Sequence, residues 1–236
     1  TPRITDAVSK LSETVAELQK KIATVSSATA KPAPIPVLSP EEINDAARAA
    51  LVNIYCTTES GGTSRLYTGS GAIIDPRGII LTNAHVAERF LLENAPSFGQ
   101  TDCIIRAGSP ASPFYDADIL YISPSWVKEN AASFKEENPL GTGEHDFALL
   151  RITRSLRADT PLPAQFSSLT PEFDRDRIVV GESVLLASYP AGFLGSIAVQ
   201  KDLYQTSTIA QIKELFTFTS GSVDVFSVGG NVLAQK

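Results

Sequence analysis

The chain has 236 residues, 43% hydrophobic and 19% charged, with a formal net charge of −6. That balance is too apolar for a chain disordered throughout, and its acidity argues against nucleic acid as a partner, because a phosphate backbone wants a basic face. No apolar run is long enough to span a bilayer as a helix. The sequence contains no Met and opens at Thr1, which reads as either a processing site or an artificially chosen start; a membrane anchor upstream of Thr1 stays open, and none lies within the chain.

In chain order, the first segment is a heptad. Apolar residues fall at Ile4, Val8, Leu11, Val15, Leu18, Ile22 and Val25, in alternating steps of 4 and 3. Val8, Val15 and Ile22 take a positions and the others d, which favours a parallel dimer, with a trimer as the alternative. The expectation is a coiled-coil helix over 1–25 that self-associates through residues 4–25. A lone amphipathic helix is the competing reading. Residues 26–38 are rich in Pro and Ala and read as an extended linker. Residues 1–38 hold five Lys/Arg against three Asp/Glu, so the acidic excess belongs to the remainder.

Ser39-Pro40-Glu41-Glu42 is a helix start, with Ser39 as cap, Pro40 at the first position and Glu42 closing a capping box. The helix should run to about Ala50. Short stretches rich in Val and Ile follow, punctuated by Gly and Pro, and predict strands over Leu51–Thr57, Leu66–Ile74, Gly78–Thr82, Cys103–Ala107, Ala117–Ile122, Phe147–Ile152 and Ser183–Tyr189. Brief helices are expected over Ala87–Leu92 and Ser125–Glu137. Many short strands and few helices indicate a mainly β fold, as antiparallel barrels or a sandwich.

Cys56 and Cys103 leave two readings open. They are buried small hydrophobes, or one disulfide that would stabilise by about 4 kcal/mol. Together with His85 and His145 they lack the close spacing of a zinc site. Gly69-Ser70-Gly71 is followed by neither a third glycine nor a Lys-Ser/Thr pair, so it is no phosphate loop. No metal and no cofactor is implied.

The chemistry concentrates on two short stretches. His85 ends the run Ser70-Gly-Ala-Ile-Ile-Asp-Pro-Arg-Gly-Ile-Ile-Leu-Thr-Asn-Ala-His85-Val86, at a strand end before a helical turn, which is a rigid mount for a general base. Asp146 stands immediately before the apolar run Phe147–Ile152, where a carboxylate can be buried against an imidazole to fix its tautomer. His145 reads as a solvent-facing neighbour.

The His85 stretch closely resembles the histidine motif of trypsin-like serine proteases, and most of all their bacterial HtrA/Do-like branch. Asp146-Phe-Ala-Leu-Leu-Arg-Ile152 resembles the catalytic-aspartate motif. Gly181-Glu-Ser-Val-Leu-Leu-Ala-Ser-Tyr-Pro190 is similar to the strand that opens the second barrel, with Ser188 where that family usually has Gly. The resemblance implies two antiparallel six-stranded β-barrels over 39–236. It implies a serine endopeptidase acting on polypeptides outside the cytoplasm, with His85 as general base and Asp146 as its orienting acid. A serine would form the acyl-enzyme, beside an oxyanion hole of backbone N–H groups.

That family sets its serine in Gly-x-Ser-Gly-Gly, and the string occurs nowhere in this sequence. The nearest approach, Ser227-Val228-Gly229-Gly230, has Val228 between the serine and the glycines and Val225 where a Gly is needed. Ser227 therefore reads as an ordinary strand-edge serine. Residues 216–236 resemble the approach to the nucleophile loop, so the motif is expected within about ten residues after Lys236. The protease domain would then be C-terminally incomplete, its second barrel unclosed, and residues 1–236 inactive. Two alternatives compete. One is a non-catalytic pseudoprotease, a peptide-binding or chaperone-like module oligomerised by the coiled coil. The other is a coiled-coil structural module in which His85 and Asp146 need not meet.

Overall fold

Pro40 opens a helix, where its missing N–H has no partner to lose and its fixed φ suits a helical turn. This helix, α1 (Pro40–Ala50), carries Glu41 and Glu42 in its first turn and Arg48 in its last, the charge order that its dipole favours. The computed structural model describes residues 17, 38–93, 95, 97, 99–130, 143–174, 177–192, 194–218 and 223–229. The expected coiled coil and linker lie almost wholly outside them. The chain divides into Thr1–Ser39 and Pro40–Lys236, and the elements below belong to the second unit.

Six strands follow the switch from helical to alternating pattern. They are β1 (Leu51–Ser60), β2 (Thr63–Asp75), β3 (Ile79–Thr82), β4 (Gln100–Ala107), β5 (Ser112–Ile122) and β6 (Ala148–Ser155). They close into an antiparallel barrel in the order β1-β2-β3-β6-β5-β4. Alternate side chains fill it: Val52, Ile54, Ile73, Ile80, Ile105, Leu150 and Ile152 are all at most 4% exposed. Each such side chain contributes roughly 1.5–3 kcal/mol on burial. Cys56 faces Cys103 across the β1–β4 seam and is bonded to it, with Cα atoms 4.1 Å apart. The open cysteine question thus resolves as a disulfide.

The Asp75-Pro76-Arg77-Gly78 turn between β2 and β3 needs its glycine. Gly78 has φ +81°, and a Cβ there would lie 2.8 Å from the Phe166 ring. Gly78→Ala combines left-handed strain with overpacking and should destabilise by about 2 kcal/mol. A lowered urea midpoint at unchanged m-value would report it; an unmoved midpoint would refute it.

Beyond the barrel, β7 (Ser183–Ser188), β8 (Thr206–Phe216) and β9 (Val225–Gly229) form a three-stranded antiparallel sheet in that order. A short helix precedes β8, at Ser196–Lys201. The described residues therefore make a mainly β molecule with one closed barrel and a partial second sheet. On that sheet Ile209, Phe216, Val225 and Phe226 are exposed.

Sheet and barrel meet over Leu51, Leu66, Ala111, Tyr189, Val199 and Leu203. The Tyr189 N–H donates to Ser70 Oγ at 2.9 Å, and its hydroxyl donates to the Gly108 carbonyl at 2.7 Å. Arg106, 2% exposed, donates from Nε to Asn53 Oδ1 at 2.8 Å. Its Nη1 donates to the carbonyls of Val199 and Gln200, at 2.9 and 3.1 Å, tying the short helix to β4. Burial pulls its pKa down from the ordinary value.

Several sequence expectations shift. The helix placed at Ala87–Leu92 starts earlier, as α2 (Ala84–Ala87), and continues as a 3₁₀ turn over Glu88–Leu92. His85 therefore sits within the first turn rather than before it. The helix expected at Ser125–Glu137 is α3 (Pro124–Asn130), and residues 131–137 lie outside the described set. Strands β8 and β9 and the helix at Ser196–Lys201 had no counterpart among the predicted elements.

Candidate active site

The short strand β3 delivers the histidine. After Thr82 the chain stays extended at Asn83 (φ −75°, ψ 149°) and then turns into α2. Ala84 and Ala87 are fully buried and seat that turn on the barrel. A Cβ at Gly69 would lie 2.6 Å from both γ-carbons of Val86, so the absence of a side chain there lets the histidine turn lie directly on β2.

Asp146 arrives from the neighbouring strand. Gly143 and His145 both have positive φ, and the Phe147 N–H donates to the His145 carbonyl at 2.8 Å, a tight turn just ahead of β6. Thr82 pairs with Ala148 in the β3–β6 ladder. That register brings together two residues 61 apart in sequence. His145 is exposed, as its position suggested.

Asp146 Oδ2 lies 2.7 Å from His85 Nδ1, and Oδ1 accepts the His85 backbone N–H at 3.0 Å. Asn83 Nδ2 donates to the Asp146 carbonyl at 3.1 Å and to Oδ2 at 3.3 Å. An ionised carboxylate can only accept, so Nδ1 is the donor and the neutral ring keeps its lone pair on Nε2. The imidazole is 48% exposed and the carboxylate 14%. The hydrogen bond that His85 donates to Asp146 chiefly raises the His85 pKa, against burial, with added attraction from the Asp146 and Glu88 charges. Burial alone would raise Asp146, but the His85 ring and backbone donors outweigh it and hold the carboxyl below its usual range.

Residues 69–236 match the trypsin-like peptidase domain. The chain belongs to the trypsin-like peptidase family. The solved structure of Deg5 is similar at 19% identity and a TM-score of 0.45, over 78% of this chain and 69% of that one. No curated protein matches the sequence.

For a trypsin-like peptidase the remaining question is the serine. Ser227 lies on β9 opposite Glu214, and its hydroxyl faces Glu214 Oε2 at 3.4 Å. Among the described residues no serine bonds to the His85 ring, and no cluster of three or more His, Cys, Asp or Glu could hold a metal ion. Sequence reasoning missed Asn83, which stands inside the histidine motif; only its side-chain hydrogen bonds to Asp146 reveal its part. It also missed Glu88 and Arg89, buried at 4% and 9% exposure just beyond His85. Their one signal was two adjacent charges in an otherwise apolar turn.

Proposed function

We propose that this trypsin-like domain is a serine endopeptidase unit in which His85 is the general base and Asp146 its orienting acid. The observation that carries the reading is the two-point hold of Asp146 on His85, at the ring and at the backbone N–H. It leaves Nε2 as the ring's acceptor. In hydrolysis, Nε2 would take the proton of a serine as its oxygen attacks the peptide carbonyl. It would then hand that proton to the departing amine, leaving an acyl ester that water cleaves by the same route. Asp146 stabilises the imidazolium in both steps.

The serine is expected in a Gly-x-Ser-Gly-Gly loop, a string absent from residues 1–236. Residues 1–236 should therefore turn over no fluorogenic casein. A longer form that carries the string should label with a fluorophosphonate and lose turnover on His85→Ala. Turnover by residues 1–236 that depends on His85 would overturn the assignment. The competing reading is a non-catalytic peptide-binding or chaperone-like pseudoprotease. Failure of every natural form to label would establish it over the first.

The same reading puts the protein outside the cytoplasm, and the Cys56–Cys103 bond supports this because disulfides persist in oxidising compartments. It also keeps self-association through residues 4–25, as dimer or trimer, with polypeptides as substrates. Sedimentation of the chain with and without residues 1–25 would measure that contribution.

A further inference from the structure

Glu88 and Arg89 form an ion pair, Oε1 to Nη2 at 3.0 Å, beneath the turn that carries His85. Glu88 is 4% exposed and Arg89 9%. The Arg89 guanidinium lies 3.9 Å over the Tyr67 ring of β2, and its Nε is buried without a partner. Such a pair is poor material for stability. Desolvating two charges offsets their attraction, and apolar side chains of similar volume usually serve as well or better. A buried pair with one donor left unsatisfied is better explained by the field it creates.

That field falls on the histidine. Glu88 follows His85 by three residues, the spacing that puts two side chains on one face of a helical turn. The coupling is mutual: the Glu88 charge raises His85, and the His85 charge lowers Glu88. Burial pushes Glu88 up, the Asp146 charge adds to that, and Arg89 pulls it down. Arg89, Asp146 and His85 are the charges that face it.

We propose that Glu88 is a positioning residue for His85, a buried carboxylate clamped by Arg89 that stabilises the protonated imidazole through space while Asp146 does so by direct contact. The inference rests on His85 being the general base. Arg89 neutralises part of the carboxylate, so the effect of Glu88 is smaller than that of Asp146. The loss of its charge should weaken proton binding at His85 about threefold, or half a pKa unit.

His85 and His145 are the only histidines in the chain, so a ¹³C or ¹⁵N NMR titration with His145→Gln isolates the His85 signal. Glu88→Gln should lower the midpoint by that amount, and Glu88→Asp, which keeps the charge, should restore most of it. A loss of packing alone would not be rescued in this way. By linkage, His85→Gln should raise the Glu88 midpoint by the same factor. That reciprocal arm replaces an exposed side chain, so it stands even if Glu88→Gln does not fold. An unmoved His85 midpoint in Glu88→Gln, or an unmoved Glu88 midpoint in His85→Gln, overturns the inference. Asp146→Asn serves as the control. If it alone lowers His85, the Glu88 proposal fails and the His85–Asp146 reading stands; if it too leaves His85 unmoved, the proposed function fails.

Discussion

Asp146→Asn should lower kcat about 10⁴-fold in any form of the protein that carries the serine loop, while leaving the fold intact. The cause lies in the two carboxylate oxygens. Oδ1 holds the His85 backbone N–H and Oδ2 faces Nδ1. In the variant the amide oxygen stays on the backbone N–H, because its NH₂ cannot accept. The NH₂ then points at Nδ1 and donates to it, which moves the ring proton to Nε2. An Nε2 that carries a proton cannot take one from a serine. The same change removes the main cause of the raised His85 pKa, and the remaining burial acts against the charged ring.

The stability of residues 1–236 should report the same pair without any turnover. His85 is raised from an ordinary value of 6.5, so its contribution is complete below that value and fades as pH rises through the folded-state pKa. Asp146 is lowered from 3.8, so its contribution is present above that value and fades as pH falls through the folded-state pKa. The pair stabilises most between those limits. Asp146→Asn should flatten the curve of unfolding free energy against pH across that window. A curve parallel to that of the unmodified chain would count against the coupling.

The sequence exposes this site unevenly. His85 and Asp146 are legible because the strands that flank them are short, apolar and punctuated, and because they resemble a known motif in the right order. Their contact depends on the β3–β6 register, which is a tertiary fact. Arg106 was not legible at all. A charged side chain in a strand is expected outside, yet here it is buried among the carbonyls of Val199 and Gln200, 93 and 94 residues away. Strand β8 was overlooked for a related reason. Thr206–Phe216 interleaves Gln211, Lys213 and Glu214 with the buried Ala210 and Ile212, and so short an apolar alternation carries little signal. The cysteines stayed undecided in sequence because composition fixes neither redox state nor pairing, whereas the β1–β4 register sets one directly opposite the other.

That register makes the disulfide the other large effect. A Cys56→Ala/Cys103→Val protein should be less stable by about 4 kcal/mol, from the 47-residue loop that the bond closes in the unfolded chain. For a chain of this size that is roughly 10 °C in Tm. The valine refills the volume of the lost sulfurs, so cavity formation adds little. The closed loop contains β2, β3 and α2, and with them His85. The bond lies on the seam where β4 returns to β1 to complete the barrel. A one-residue slip of either strand at that seam would turn its cysteine to the other face, away from its partner, so the bond also fixes register. Reduction should therefore act on the site as well as on the strands. In a guanidinium titration of the double variant, the His85 pKa should return to its ordinary value at the same midpoint as the loss of strand signal, and that midpoint should be lower than in the oxidised protein. An unchanged midpoint would mean that the bond does not constrain the unfolded chain. Loss of the His85 shift well before the strands melt would mean that the histidine turn and the barrel do not unfold as one unit.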